Sequence, residues 1–236
     1  PVSGYRALVG HSLGGIFALQ VLAQQPELFD DYLVIDPSTW YDQRKFANGV
    51  LDSLASGNYE GKSLFVAMAN TNNEPDTTRL KLIHTDFSEH QKSILDFTLS
   101  ARKLSTSGLT FIDRYYPNDD HNSVPMIATY DGLRELFKSH RFSFDGLHAP
   151  DFSPLRSIPD HFARLSKKIK HPMRPSPEFL ELCDLYYTVI PDATRKQETR
   201  TLYQQMYPDR AKAYISKNSQ FSANTGKLPA SLIYLR

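Results

Sequence analysis

The first 142 or so residues alternate between short apolar runs and longer stretches that mix apolar and polar positions. The apolar runs have the length of β-strands, and the stretches between them have the length of helices. Predicted strands cover residues 5–9, 32–35, 63–69 and 109–116, and predicted helices cover residues 14–24, 46–54, 84–104 and 124–137. Strands separated by helices form βαβ units, so the sequence predicts an α/β fold with a mostly parallel sheet.

The pattern changes beyond residue 144. Asp145-Gly146 and the prolines at 150, 154 and 159 predict a linker. Helices are predicted at residues 159–170, 177–189, 194–206 and 209–217. We therefore divide the chain into an α/β domain, residues 1–144, and a linker with a helical tail, residues 145–236. The tail is similar to a degenerate tetratricopeptide hairpin, and such a short array buries its faces poorly. We expect it to dock on the α/β domain or to contact another protein or a second copy.

The run Gly10-His11-Ser12-Leu13-Gly14 lies between the first predicted strand and helix. It fits the G-x-S-x-G pattern of a nucleophile elbow, in which small neighbours let the strand and helix backbones approach closely. The hydroxyl then stands above the sheet, and the N–H of Leu13 is a candidate oxyanion donor. The alternative is an incidental serine in a glycine-rich turn. A phosphate-binding loop is excluded because the run fits neither of the usual glycine patterns. Ser12 is thus the predicted nucleophile of a serine hydrolase.

The carboxyl ends of parallel strands meet at one edge of a sheet, so we look for partners of Ser12 in the loops there. His121, in the loop after the fourth strand, is the predicted general base. The loop after the third strand offers Glu74, our first choice for the orienting acid, and Asp76, our second. These carboxylates could instead be solvated loop residues. His11 is predicted to point off the other side of the turn, as packing or as pocket wall.

Composition excludes several functions. With 27 basic and 26 acidic residues, the chain has no charge excess for nucleic acid or an anionic membrane. Its single cysteine, Cys183, allows neither an internal disulfide framework nor a cysteine-based zinc site. The histidines lack the paired spacing of a metal site, so no metal and no cofactor are predicted. No apolar stretch approaches the roughly 20 residues that span a bilayer. The sequence does not decide between cytoplasm and periplasm.

Three motifs together resemble the putative-esterase branch of the α/β-hydrolases, which includes enterochelin (siderophore) esterases and S-formylglutathione hydrolases. They are Gly10-His11-Ser12-Leu13-Gly14-Gly15, Asp36-Pro37-Ser38-Thr39-Trp40, and His121-Asn122-Ser123-Val124-Pro125 with Tyr130-Asp131-Gly132-Leu133. The strongest likeness is to the type that cleaves the trilactone of catecholate siderophores. The resemblance implies a three-layer α/β-hydrolase sandwich with Ser12 as nucleophile, His121 as base and Trp40 in the pocket wall. Some members are Ser-His dyads, so the role of Glu74 stays open.

Members of this branch carry several strands before the elbow, whereas few residues precede it here. We therefore expect a longer enzyme, whose preceding part supplies the second oxyanion donor, and we expect these 236 residues alone to be nearly inactive. The predicted activity is hydrolysis of a small carboxylic ester through an acyl-enzyme, with enterochelin-type esters as candidate substrates. The alternatives are an acyltransferase, an S-formylglutathione-hydrolase-like thioesterase, and a non-catalytic protein that binds partners through its helical tail.

Overall fold

A computed structural model describes residues 4–74, 76–104 and 108–218. The chain divides into two compact units, one up to Ser139 and one from His140. The first unit holds a four-stranded sheet with strands β1 (Ala7–His11), β2 (Asp31–Ile35), β3 (Ser63–Ala69) and β4 (Thr110–Tyr116). All pairs are parallel, and the strands follow one another in chain order across the sheet. The predicted α/β fold with a parallel sheet is confirmed.

Helices cover both faces of this sheet, because alternate strand residues point to opposite sides. The helices of the first unit are α1 (Leu13–Gln24), α2 (Lys45–Ser56), α3 (Asp86–Ala101) and α4 (Val124–Leu136). On one face Val34 and Val66 pack in a cluster with buried residues of α1, α2 and α3. On the other face Leu33 and Phe65 pack against α4. Since β2 and β3 are buried along their whole length, they form the rigid centre that positions the loops at their carboxyl ends.

Short 3₁₀ turns lie in the connections, at Pro26–Leu28, Tyr41–Arg44, Thr77–Leu82, Lys138–His140 and Asp145–His148. Helix α3 is shorter than the predicted helix of residues 84–104. Thr85 accepts a hydrogen bond from the N–H of Ser88, and the Ser88 hydroxyl oxygen accepts one from the N–H of Thr85. This capping box fixes the start of α3 at Asp86 because it satisfies N–H groups that have no partner within the helix.

The connection from β1 to α1 is a forced turn. Ser12 has φ 58° and ψ −118°, a backbone conformation that residues other than glycine rarely adopt. A Cβ on Gly10 would lie 2.1 Å from the Gly14 carbonyl oxygen, and one on Gly15 would lie 2.9 Å from Cβ of Pro37. A Cβ on Gly14 would meet nothing within 4 Å. The close approach therefore requires glycine at positions 10 and 15, and not at position 14 as the sequence pattern suggests.

The second unit consists of helices α5 (Pro154–Ile169), α6 (Pro177–Val189), α7 (Ala193–Met206) and α8 (Pro208–Asn218). Helix α5 begins within the predicted linker, because Pro154 occupies the first turn, where a missing N–H costs nothing. Leu180, Cys183 and Tyr203 are centres of a buried cluster formed within this unit. Among the described residues, no helix is both long and apolar enough to cross a membrane.

Candidate active site

The structure brings Ser12 and His121 together, although they are far apart in the chain. The Ser12 hydroxyl lies 3.1 Å from Nε2 of His121 and 3.3 Å from the hydroxyl of Ser38. Ser12 stands at the end of β1, where its N–H donates to the carbonyl of Ile35. His121 lies in the loop between β4 and α4. A serine hydroxyl that can donate to an imidazole nitrogen can lose its proton to that ring when the oxygen attacks a carbonyl.

Asp36 holds the other side of the His121 ring. Its Oδ2 lies 2.6 Å from Nδ1 of His121, and its Oδ1 accepts a hydrogen bond of 2.8 Å from the N–H of Ala69. The register explains the position. His11 is paired with Ile35, so Ser12 and Asp36 directly follow paired residues at the carboxyl ends of neighbouring strands. Ser12, His121 and Asp36 thus form a continuous hydrogen-bonded row, with the arrangement of a Ser-His-Asp triad.

The loop that carries His121 is tied to the end of β3. Asn70, the residue after β3, donates its N–H to the carbonyl of Asp119 at 2.7 Å, and its amide nitrogen donates to the carbonyl of Pro117 at 2.9 Å. Asp120 accepts hydrogen bonds from the N–H groups of Asn122 and Ser123. These bonds close the loop around His121, so the loop backbone is held in place while Asp36 holds the imidazole.

The acid is not where the sequence analysis expected it. Glu74 accepts a hydrogen bond from the N–H of Asp76 and lies 3.8 Å from the guanidinium of Arg79. Asp76, the second choice, caps a 3₁₀ turn by accepting from the N–H of Thr78. Glu74 and Asp76 follow β3, whereas β2 is the direct neighbour of β1, so the end of β2 lies closer to Ser12. We therefore move the candidate acid from Glu74 to Asp36.

The other predicted site residues lie around this row. The N–H of Leu13 belongs to the first residue of α1, so it has no acceptor within the helix and is placed to meet a negative oxygen. His11 does not point away from the site as expected, since its ring packs on that of His121 with centroids 4.5 Å apart. Trp40 is 44% exposed and lines a shallow groove of about 540 Å³ with Arg44.

His90, on α3, is a member of the site that the sequence analysis assigned only to a helix. Its Nε2 lies 2.9 Å from the same Oδ2 of Asp36 that meets His121. Asp36, His90 and His121 each place a potential metal-ligand atom within 4.8 Å of the others. Hydrogen bonds to the shared carboxylate already account for this spacing, so we assign no metal to the cluster. No short sequence spacing signals His90, because α3 reaches the site only through the fold.

The electrostatics follow from this network. Burial on its own would raise the pKa of Asp36, but hydrogen bonds from His121 and His90 outweigh burial and lower the pKa to about 2. The hydrogen bond to Asp36 raises the pKa of His121, against the smaller opposing effect of burial. Burial lowers the pKa of His11. Asp36 is therefore ionised over the physiological range, and its charge favours the protonated form of His121.

Comparison with known proteins finds no matching family model. A siderophore enterobactin esterase of Emericella nidulans is 51% identical over 41 residues, which is 17% of this chain and 14% of that protein. A siderophore triacetylfusarinine C esterase of Aspergillus fumigatus is 23% identical over 59% of this chain and 51% of its own length. The chain thus spans about half the length of this second curated relative.

A solved structure resembles most of the chain. The IroE-like serine hydrolase of Shewanella oneidensis is 32% identical, with a TM-score of 0.65, and the match covers 86% of this chain and 60% of that one. Together these similarities support a relationship to the siderophore esterases and IroE-like serine hydrolases, which the sequence motifs also indicate.

Proposed function

We propose that the protein hydrolyses carboxylic esters with Ser12 as nucleophile, His121 as general base and Asp36 as orienting acid. The observation that carries the proposal is the hydrogen-bonded row from Ser12 Oγ to His121 Nε2 and from His121 Nδ1 to Asp36 Oδ2. Ser12 occupies a strained turn between strand and helix, as a nucleophile elbow requires. The N–H of Leu13 stands at the start of α1, where a helix favours negative charge.

The proposed reaction has two halves. Ser12 Oγ attacks the ester carbonyl while His121 Nε2 takes the hydroxyl proton, and the N–H of Leu13 donates to the oxyanion. His121 returns the proton to the departing alcohol, which leaves an acyl group on Ser12. Water then attacks the acyl-enzyme with His121 again as base, the bond to Ser12 Oγ breaks as His121 returns the proton to that oxygen, and the carboxylic acid is released. An acyltransferase or a thioesterase would use the same three residues with a different acceptor or leaving group.

The candidate substrates are siderophore esters. The relatives named as siderophore esterases and the motif resemblance support this class, and Trp40, in the segment that follows Asp36, offers an exposed aromatic surface. The test compares turnover of a catecholate trilactone by the protein with its turnover of acetate and butyrate esters. A preference for the trilactone supports the siderophore class. Equal turnover of all three esters removes that class while leaving the esterase in place.

A pH profile tests the base. His121 accepts the proton only when it is neutral, and Asp36 raises its pKa above the ordinary value of 6.5. The ring therefore becomes protonated earlier as the pH falls, and activity is lost through a pH above 6.5. We expect kcat/KM to be constant at higher pH and to decline on the acidic side with an apparent pKa above that value. An acidic limb below pH 6.5 contradicts the role of the Asp36–His121 contact.

The helical unit has a second candidate role. The proposed tetratricopeptide-like arrangement would let helices α6 and α7 present a surface to a protein partner, and α6 packs on α7 in the manner of a helical hairpin. Helices α5 to α8 also enclose a buried cluster of their own. This role does not compete with ester hydrolysis, because it involves none of Ser12, Asp36 and His121.

A further inference from the structure

The candidate acid has a second imidazole partner that the proposed reaction does not use. The Asp36 side chain has no solvent exposure. Its Oδ1 accepts from the N–H of Ala69, and its Oδ2 meets both Nδ1 of His121 and Nε2 of His90. An ionised carboxylate only accepts hydrogen bonds, so Nε2 of His90 must carry its hydrogen and donate it. His90 thus supplies one of three donors to a buried charge.

Helix α3 is fastened on both sides of His90, so this donor has a defined position. The hydroxyl of Ser93 donates to the carbonyl of His90 at 2.7 Å and lies 2.8 Å from the hydroxyl of Thr39, in the segment after β2. Arg44, in the same segment, contacts Glu89 and Asp96 at 2.6 Å each. The segment that follows Asp36 and the helix that carries His90 are therefore one connected assembly.

The backbone of Asp36 adds a reason for a second donor. Asp36 has φ 41°, in the left-handed region that is uncommon for residues other than glycine, although aspartate adopts it more often than most. A residue in that conformation keeps its geometry only when surrounding contacts hold it. Two ring nitrogens on Oδ2 and one N–H on Oδ1 hold both oxygens of the carboxylate.

We propose that His90 is a positioning residue. It fixes the orientation of the Asp36 carboxylate and weakens the attraction of that carboxylate for the His121 imidazolium. The proposal rests on the proposed esterase function. Since both rings share Oδ2, the hydrogen bond from His90 draws electron density from the oxygen that stabilises the His121 imidazolium. Without that bond the Asp36 carboxylate is more basic, so His121 keeps its proton to higher pH. The carboxylate is also less well aligned with His121, so catalysis falls.

Other ionisable groups near His121 do not reproduce this effect. Asp120, in the same loop, raises the pKa of His121, and His11, at the end of β1, interacts with it as well. Both side chains are retained in a His90 variant, although His90 itself contributes to the lowered pKa of His11. On α3 itself, Glu89 is paired with Arg44. The His90 ring also packs edge-on against the ring of His121, with centroids 5.1 Å apart, and phenylalanine keeps an aromatic ring at that position. A shift of the acidic limb in His90→Phe that His90→Gln reverses is therefore attributable to the hydrogen bond with Asp36.

The test uses His90→Phe, which removes the donor, and His90→Gln, which places an amide N–H near the position of Nε2. Kinetics are measured across pH with a short-chain chromogenic ester, together with the melting temperature of each variant. We expect His90→Phe to lower kcat about tenfold with little change in KM, because one charge-assisted hydrogen bond is lost. We also expect its acidic limb to move up by about half a pH unit. His90→Gln should recover most of kcat and return the limb toward its original position.

The exposed histidine at position 84 gives the matched control, since His84→Phe and His84→Gln alter the same segment of chain. Both should behave as wild type. If His90→Phe does not fold, His90→Asn replaces it, because the shorter amide does not reach Oδ2. An unchanged acidic limb in the donor-free variant, or equal impairment in His90→Gln, overturns the proposal.

The Ser12→Ala variant distinguishes failure of the proposed function from failure of the role of His90. If it stays active, the proposed function fails. If it is inactive while His90→Phe matches wild type, only the role of His90 fails.

Discussion

Replacement of Ser12 by alanine is expected to lower kcat/KM for a short-chain ester by about 10⁵-fold or more, because the attacking oxygen is removed. Every covalent step of the proposed reaction passes through Ser12 Oγ, which lies 3.1 Å from the ring that would take its proton. KM should change little in comparison, since the pocket residues remain. The measurement is steady-state hydrolysis of a chromogenic acetate or butyrate ester by the protein and its variant.

A second serine provides the control for this substitution. Ser53 lies on α2 and donates its hydroxyl to the carbonyl of Gly49, away from the site. Ser53→Ala removes the same hydroxyl group from a helix and should keep wild-type activity. Comparable activity in Ser12→Ala and wild type would remove Ser12 from the mechanism. It would leave the α/β unit as a scaffold, with the helical unit as the candidate functional part.

The Asp36→Asn variant should have the second largest effect, a loss of about 10⁴-fold in kcat. Asparagine keeps the size of the side chain but removes the charge that stabilises the His121 imidazolium. It also presents an N–H where His121 and His90 now each donate to Oδ2. His121 is then held in the wrong tautomer, with its proton on the nitrogen that should accept from Ser12. The measurement is kcat for the same ester, with circular dichroism to show that the fold is kept.

Glu74→Gln is the matched control for the acid, since it also neutralises one carboxylate at the same edge of the sheet. Glu74 contacts the N–H of Asp76 and the guanidinium of Arg79, so its neutralisation should change kcat less than about threefold. The reverse outcome, with a large loss in Glu74→Gln and a small one in Asp36→Asn, would return the acid to the loop after β3.

The sequence predicts the parts of the site that depend on local structure. The run from Gly10 to Gly14 has a local signature because a strained turn limits which residues fit. His121 could be found because the loops at the carboxyl ends of parallel strands converge, and because its loop follows the fourth predicted strand. The alternation of apolar runs and helical stretches also predicts the α/β fold, because this alternation is a local pattern too. The central strands β2 and β3 bury their side chains between layers of helices.

The roles of Asp36 and His90 depend on strand order, which the sequence does not state. Asp36 belongs to a motif quoted for the family resemblance, yet only the pairing of β1 with β2 puts it beside Ser12. A carboxylate directly after the second buried strand was the available signal. His90 has no such signal, because a histidine on a helix with mixed apolar spacing is usually structural. The left-handed backbone of Asp36 is likewise a tertiary property, imposed by the contacts around it.

The most direct test of the central claim is covalent trapping of the nucleophile with a fluorophosphonate, followed by peptide mass spectrometry. The reagent modifies a serine that a neighbouring base activates. We predict a single adduct on the peptide that contains Ser12, formed much more slowly in His121→Ala and absent from Ser12→Ala. An adduct on a different residue, or hydrolysis of the ester by a protein that the reagent leaves unmodified, would contradict the account.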